Sequence, residues 1–106
     1  MSISSLQKST ARNVHEYFES SVGTTEVVYD MGTRNLTKIS FLSNDDLSND
    51  LFVSFDDIAA TTTPGNGANG VIHLLPGETI NDLGRKCSKI RFIRAAGNGN
   101  VRMLGV

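Results

Sequence analysis

The sequence predicts an all-β domain, a small antiparallel β-sandwich of about six or seven strands. Short apolar runs recur at roughly ten-residue spacing along residues 24–106, and clusters of Gly, Pro, Asn and Asp separate them. No strand–helix–strand alternation is visible, which argues against a parallel sheet. A chain of 106 residues is long enough for one hydrophobic core but not for two independent ones.

Each predicted strand is an apolar or alternating run that ends at a turn signal. In chain order the predicted strands cover residues 26–29, 36–42, 51–55, 71–75, 89–93 and 101–104. In the second of these runs Ile39 and Phe41 alternate with polar residues, which is the period of two typical of a half-buried strand. Turns are predicted at 44–50, 76–79 and 97–100, and a long loop at 56–70.

The N-terminal segment, residues 1–22, differs in pattern from the sandwich predicted for residues 23–106. Side chains recur in it at three- and four-residue steps, at Ile3, Leu6, Thr10, Val14, Tyr17, Phe18 and Ser21. That period favours an amphipathic helix over part of 9–21, lying on the sheet and ending before Gly23. The alternative is an extended arm, over residues 1–10, that docks on another subunit.

The charge and cysteine content exclude several classes of protein. The formal net charge is −1, so the chain as a whole has no long-range attraction for nucleic acid or for an anionic membrane. Cys87 is the single cysteine and cannot form an internal disulfide. The N-terminus lacks a signal-peptide pattern and no apolar run reaches the length of a membrane span, so we expect folding in a reducing cytosol.

Four features that could carry chemistry are better explained as structural. Residues 65–70 spell G-x-G-x-x-G, but a nucleotide-binding loop needs a following helix, and a strand-like run follows here. The aspartates between residues 45 and 57 lack the spacing of a calcium loop. His73 has no nucleophile near it in the sequence. Basic neighbours are expected to lower the pKa of the Cys87 thiol, but no base accompanies it. We therefore expect no catalytic residue, no metal and no cofactor.

Acidic and basic residues occupy separate parts of the chain. The acidic segment contains Asp45, Asp46, Asp50, Asp56 and Asp57, and the basic segment contains Arg85, Lys86, Lys89, Arg91, Arg94 and Arg102. On the strand predicted at 89–93, Lys89 and Arg91 share one face. Such a row of cations can discourage edge-to-edge aggregation, or pair with the acidic segment within or between subunits. Contact with nucleic acid is disfavoured because no aromatic residue alternates with the cations on their own face of the strand and the net charge is slightly negative.

Residues 35–106 also contain an ordered set of short motifs. A strand at 35–44 is followed after a polar turn by an L-x-V-S-x strand at 51–55, then by an apolar strand and an L-x-P-G-E turn at 74–78. A glycine-rich turn and a V-R-x-L strand at 101–104 close the chain. In this order the motifs resemble small β-sandwich virion proteins of tailed bacteriophages. The resemblance implies a capsid decoration, head-fibre, neck or tail component without catalytic residues.

We therefore interpret the chain as a non-enzymatic structural component of a virion, assembled in the host cytoplasm through protein–protein contacts. The expected partners are other virion proteins of the capsid, portal, neck or tail and further copies of the chain, with no nucleic acid and no membrane. The residues predicted to lie at interfaces are Leu6, Val14, Tyr17, Phe18, Asp45, Asp46, Lys89, Arg91 and Arg94. Two alternatives are a carbohydrate- or host-surface-binding module that uses loop 56–70, and a small enzyme.

Overall fold

The computed structural model describes residues 15–63 and 70–106, in which the chain forms eight β-strands and no helix. The strands are β1 (Glu16–Val22), β2 (Val27–Asp30), β3 (Ile39–Asn44), β4 (Leu51–Phe55), β5 (Ile72–Leu74), β6 (Thr79–Leu83), β7 (Lys89–Ile93) and β8 (Gly99–Gly105). They form two four-stranded antiparallel sheets, a first sheet of order β1-β8-β3-β6 and a second of order β2-β7-β4-β5. The predicted all-β sandwich is confirmed, although it has eight strands.

The strand order is that of a jelly roll. β1 pairs with β8, β2 with β7, β3 with β6 and β4 with β5, so the chain is paired as one long hairpin. β3 also pairs with β8, and β4 with β7, which joins the folded hairpin into two sheets. This is the connectivity of eight-stranded jelly-roll sandwiches. It pairs residues as distant in sequence as Glu16 and Gly105, so both ends of the described chain take part in one sheet.

The core lies between the two sheets because each strand turns one row of apolar side chains inward. Burial alternates along β7, where Ile90 and Phe92 are fully buried and the residues between them are partly exposed. Leu42 and Met103 of the first sheet belong to the same buried cluster as Ile90 and Phe92. Apolar burial of this kind contributes roughly 25 cal/mol per Å² and is the main favourable term in folding.

The helix predicted over part of 9–21 is wrong for the residues that the structure describes, since residues 16–22 form the edge strand β1. Phe18 points into the sandwich and stacks on Tyr29, with ring centroids 4.6 Å apart, and on Phe92 at 5.4 Å. Tyr17 and Phe18, adjacent in sequence, therefore lie on opposite faces, as a period of two requires. The sandwich begins before residue 23, whereas the rest of the predicted arm, residues 1–14, lies outside the described ranges.

The sequence patterns also missed β6. This strand contains Asn81 and Asp82, two residue types depleted in strands, and has Ile80 and Leu83 as its only apolar side chains. Asp82 has a φ of 56° and lies opposite the irregularity between Ile39 and Phe41 of β3. The strand is therefore held by its pairing with β3 and not by its own propensity.

Successive strands run in opposite directions, so the loops collect at two ends of the sandwich. Loops 23–26, 45–50, 75–78 and 94–98 follow β1, β3, β5 and β7, and we call the end that they form the acidic end. The segments 31–38, 56–63 and 84–88, together with the start of β1 and residue Val106, lie at the other end, called the terminal end. Within the described ranges no helix is long and apolar enough to span a membrane.

Candidate interaction surface

The acidic end is one connected structure because backbone hydrogen bonds join its loops. The amide of Gly77 donates to the carbonyl of Asp46 at 2.9 Å, and the amide of Asp45 donates to the carbonyl of Asn100 at 3.0 Å. The amide of Arg94 donates to the carbonyl of Gly23 at 2.8 Å. Four loops that are far apart in sequence are therefore held in fixed relative positions.

Arg94 lies in the interior of this end, where it is 1% exposed. Its Nε donates to the carbonyl of Val22 at 2.9 Å, and its Nη1 donates to Asn44 Oδ1 at 2.9 Å and to the carbonyl of Asn49 at 3.1 Å. Loss of water around the guanidinium lowers its pKa, and the negative charge of Asp46, 4.0 Å away, opposes that shift. Arg94 was predicted to lie at an interface, and that prediction is wrong because its donors are used inside the fold.

Asn44 completes the same buried network. It is 0% exposed, and its Nδ2 donates to the carbonyls of Asn49 and Leu75, at 2.9 and 3.0 Å. Its Oδ1 accepts from Arg94 and from the amide of Asp46. Since a buried amide is costly unless its groups are paired, these bonds fix the β3–β4 loop against the β5–β6 loop. The sequence pattern had assigned Asn44 only to a solvated turn.

Two close backbone approaches in this region require glycine. A Cβ atom on Gly99 would overlap the Cβ of Asp46, and a Cβ on Gly97 would overlap the side-chain amide of Asn49. Gly97 also has a φ of 76°, in the region that favours glycine. The glycine-rich turn predicted at 97–100 is thus the place where the β7–β8 loop packs on the β3–β4 loop.

Hydrogen bonds lower the pKa values of two carboxylates at the acidic end, Asp45 and Asp46. A charged hydrogen bond from Arg102, with Nε 2.5 Å from Oδ2, lowers the pKa of Asp45. A hydrogen bond from the Asn49 side chain at 2.7 Å lowers the pKa of Asp46. Asp50 lies 2.7 Å from Nε2 of His73, which stacks on Phe52 with ring centroids 4.5 Å apart. His73 is therefore an exposed histidine whose imidazole is hydrogen-bonded to a carboxylate.

Two large apolar side chains project from the same end. Leu47 is 82% exposed and Leu75 is 55% exposed. They lie on adjoining loops, because a Cβ placed on Gly77 would be 3.2 Å from Cδ2 of Leu47 and the amide of Glu78 donates to the carbonyl of Leu75 at 3.0 Å. The exposed Leu47, Leu75 and Glu78 and the partly exposed Asp50, with Asp46 behind them, form what we call the leucine patch. An exposed apolar patch with a polar rim is typical of an interaction site.

At the terminal end a second aspartate organises the backbone. Asp56 has a φ of 57°, and its Oδ1 accepts from the amides of Ser88 and Lys89 at 2.8 and 3.3 Å. These hydrogen bonds, with that from the amide of Ser88 the strongest, lower the pKa of Asp56. The aspartate pairs 45–46 and 56–57 precede and follow β4, so they lie at opposite ends of the sandwich.

Most of the basic segment pairs with acidic groups of the same chain. Arg91 Nη1 lies 3.0 Å from Glu26 Oε1, and Lys89 Nζ lies 3.6 Å from Asp57 Oδ1. Glu26 also accepts from the amide of Ala60 at 2.9 Å, so loop 56–63 is held across the outer face of the second sheet. Lys89 and Arg91 therefore form ion pairs within one subunit, which is one of the explanations that the sequence left open for this row of cations.

Cys87 is the small buried side chain that the sequence favoured over a nucleophile, but the lowered pKa expected from its basic neighbours is wrong. The side chain is 1% exposed in the core cluster, and burial raises its pKa to about 11, with a further contribution from the charge of Asp56. Its basic sequence neighbours do not compensate, although Arg85 stacks over the ring of Phe55 at 4.7 Å. A thiol of raised pKa and no exposure is a core side chain, not a nucleophile.

The outer face of the first sheet carries one apolar row. Tyr17 lies opposite Leu104, Leu104 opposite Phe41, and Phe41 opposite Asn81, so these four side chains cross all four strands. Tyr17 is 49% exposed, and Arg102 extends over the Phe41 ring at 5.7 Å. The sequence had selected Tyr17 without its partners in the row, because cross-strand neighbours are set by register.

The predicted interface residues do not form one surface. Asp45 and Asp46 lie at the acidic end, Tyr17 on the outer face of the first sheet, and Lys89 and Arg91 on that of the second. Phe18 and Arg94 face the interior, which corrects their assignment to an interface. Leu6 and Val14 lie outside the described residues. Leu47 and Leu75 were missed, although Leu47 is a lone apolar residue in a polar turn, a signal the sequence does contain.

The described part of the chain contains no group of three or more His, Cys, Asp or Glu side chains placed to hold a metal ion. Most of the G-x-G-x-x-G sequence, residues 65–69, lies outside the described ranges, and the segment that follows it leads into strand β5. Compared with known proteins, the chain matches no family model, no curated protein and no solved structure.

Proposed function

We propose that the chain is a non-enzymatic structural component of a tailed-phage virion that assembles through protein–protein contacts. The observation that carries the proposal is the leucine patch on a rigid end of an eight-stranded jelly roll. Jelly rolls form viral capsid domains, but also lectins and cupins, so the fold alone is an analogy. The ordered motifs of residues 35–106 favour the virion among these classes.

The use of the ionisable groups supports a structural role over an enzymatic one. Active sites bring groups of perturbed pKa together in a cleft. Here the perturbed groups serve the fold: Arg94 joins loops, Asp56 holds the backbone of β7, and Cys87 lies in the core. Arg94 lies at the acidic end, whereas Asp56 and Cys87 lie at the terminal end, where Asp56 accepts from backbone amides and the thiol is buried in the core.

The proposed partners are the capsid, portal, neck or tail proteins and further copies of the chain. Many copies on one particle would let individually weak contacts act together, because a second contact on the same lattice is effectively intramolecular. The location follows as the virion, with assembly in the host cytoplasm.

Mass spectrometry of particles purified from cells that carry the gene in its native genome tests this proposal. We expect the chain to remain with intact particles through density-gradient purification, in a fixed ratio to the major capsid protein. Its presence only in the soluble fraction, with particles complete without it, would refute the virion role.

Carbohydrate binding is the second candidate, and we propose the outer face of the first sheet for it in place of loop 56–70. The rings of Tyr17 and Phe41, with Leu104 between them, form an apolar row, and Asn81 and Arg102 are its polar neighbours. Aromatic faces beside hydrogen-bonding groups suit sugar rings, which have apolar and polar sides.

A glycan array with the purified chain distinguishes the two candidates. Specific signals that disappear in Tyr17→Ala but persist in Val28→Ala would favour sugar binding, since both residues are exposed on edge strands but on different sheets. An array without specific signals leaves the virion proposal as the one to pursue in particles.

A further inference from the structure

We infer that residues 1–14 of one copy bind the leucine patch of a second copy, so that the chain associates head to tail. The inference rests on the proposed assembly function, because it names a partner and a contact for it. Three observations carry it: the composition of the patch, the complementary composition of residues 1–14, and the positions of the two at opposite ends of the sandwich.

The patch offers apolar surface within a negative field. Leu47 and Leu75 are exposed at 82% and 55%, and the side chain of Asp50 is 40% exposed. Glu78 is also exposed, and Asp46 is ionised behind it. Of the two arginines at this end, Arg94 has a side chain that is 0% exposed and donates to loop carbonyls, and Arg102 is paired with Asp45, which is not part of the patch. A ligand at the surface therefore meets leucines and carboxylates.

Residues 1–14 have the complementary chemistry. They contain Lys8 and Arg12 and no Asp or Glu, so the remainder of the chain is more acidic than the formal net charge of −1. In an extended peptide Leu6, Lys8 and Arg12 would share one face, because side chains two residues apart lie on the same side. Such a face presents one apolar anchor followed by two cations, which matches leucines beside carboxylates.

Within one copy, the point where residues 1–14 join the sandwich and the leucine patch lie at opposite ends. β1 begins at Glu16, opposite Gly105, so residues 1–14 join the sandwich at the terminal end. The leucine patch lies at the acidic end. Fourteen extended residues reach about 46–50 Å, enough to cross onto a neighbouring copy. Residues 1–14 contain no Gly or Pro to favour a tight reversal onto their own sandwich. Head-to-tail contacts of this type generate rings or filaments.

The test uses sedimentation velocity on the purified full chain and two variants that each damage one side of the contact. Lys8→Glu combined with Arg12→Glu reverses the charge of the donor segment. Leu47→Lys places a cation in the receptor patch, at a side chain that makes little contact with the fold. Val28→Lys, at a residue 41% exposed on the second sheet, is the matched control.

We expect the mean mass of the wild-type chain to rise with concentration and to fall when salt is added, since exposed charges are screened. Each damaged variant should associate at least about tenfold more weakly, and Val28→Lys should match the wild type. A mixture of the two damaged variants should form a dimer and nothing larger. The Leu47→Lys variant retains an unchanged residue 1–14 segment and the Lys8→Glu/Arg12→Glu variant retains an unchanged leucine patch, so only one contact can form.

Three results would overturn the inference: a wild-type chain that is monomeric up to about 1 mM, equal effects of Leu47→Lys and Val28→Lys, or a mixture of damaged variants that does not pair. Each measurement uses the chain alone. If the chain is present in particles but monomeric in solution, head-to-tail binding is refuted and the virion proposal stands. If the chain associates in solution but is missing from particles, the virion proposal is refuted and head-to-tail binding stands.

Discussion

Arg94 Nη1 donates to Asn44 Oδ1 at 2.9 Å in the interior of the acidic end, and these two side chains join the β7–β8 loop, which contains Arg94, to the β3–β4 loop, the β5–β6 loop and the end of β1. Neither is close to the other in sequence, and both are buried. This polar pair is what makes one end of a small β-sandwich a rigid platform, because an alternative loop arrangement would leave a charged group unpaired away from water.

We predict that Arg94→Met destabilises the protein by about 3–5 kcal/mol, since it leaves Asn44 and several carbonyls without their buried donor. Urea unfolding measures the free energy. Lys38→Met is the matched control: the Lys38 side chain is 50% exposed and bridges to Asp82 at 3.1 Å, so its loss should cost at most about 0.5 kcal/mol. Equal effects of the two substitutions would show that the Arg94 network is energetically unimportant.

The second prediction is that acid lowers the stability of the protein, in part through Asp56. The native pKa of Asp56 lies below its ordinary value because the Ser88 and Lys89 amides donate to the carboxylate. The charged form binds these donors, so the stabilisation is complete above the unfolded pKa of about 3.9 and is lost as the pH falls through the lower native pKa. The pKa values of Asp45 and Asp46 are lowered too, and they act in the same direction.

Asp56→Asn isolates the contribution of this residue, since asparagine tolerates the positive φ and keeps an acceptor but has no charge. We expect about 1 kcal/mol less stability near neutral pH and a smaller fall in the urea midpoint toward about pH 3. Asp57→Asn, whose side chain is 94% exposed, should retain the acid dependence of the wild type. A wild-type midpoint that does not decrease in acid would contradict this prediction.

The third prediction is that Cys87 resists thiol reagents in the native protein. Burial excludes the reagent and raises the pKa to about 11, so little thiolate is present near neutral pH. Labelling followed by mass spectrometry should be at least about a hundredfold slower than at a cysteine introduced by Leu47→Cys, and should become fast in denaturant. Comparable labelling rates at the two positions in the native state would place Cys87 outside the core.

The fourth prediction tests the assignment of residues 16–22 to the sandwich. Phe18→Ala removes the stack with Tyr29 and Phe92, and should cost about 2 kcal/mol for this half-buried side chain. Tyr17→Ala, one residue away on the outer face, should change the free energy of unfolding by at most about 0.5 kcal/mol. Similar losses at both positions would contradict an edge strand with one inward face.

We also predict that the stability of the protein decreases at alkaline pH because of Tyr29. Burial, together with its hydrogen bond to Glu16, raises the pKa of this phenol to about 12. A raised native pKa means that the unfolded chain loses its proton first, so stability is complete below about pH 10 and decreases as the pH rises toward about 12. Tyr29→Phe should reduce that decrease in urea midpoints, and an unchanged alkaline decrease would exclude Tyr29 as a cause.

Local sequence signals were sufficient where a strand has its own apolar pattern. Residues 51–55 and 89–93 were predicted as strands and form β4 and β7 with the same limits, because an apolar alternation bounded by turn residues has few other stable arrangements. The signals failed at β1, where spacings of three and four also fit a helix. They failed at β6, where polar residues occupy a strand supported by its neighbour.

The sequence by itself determined the all-β class, the single core, the turn positions and the inward rows of apolar side chains, since each depends on residues close together in the chain. Only the tertiary structure decided that Arg94 is an interior anchor, that burial raises the pKa of Cys87, and that Leu47 and Leu75 share a surface. These properties depend on strand register and on loops brought together from distant parts of the chain. No local pattern contains that information, because burial and partners are set by the pairing of the whole hairpin.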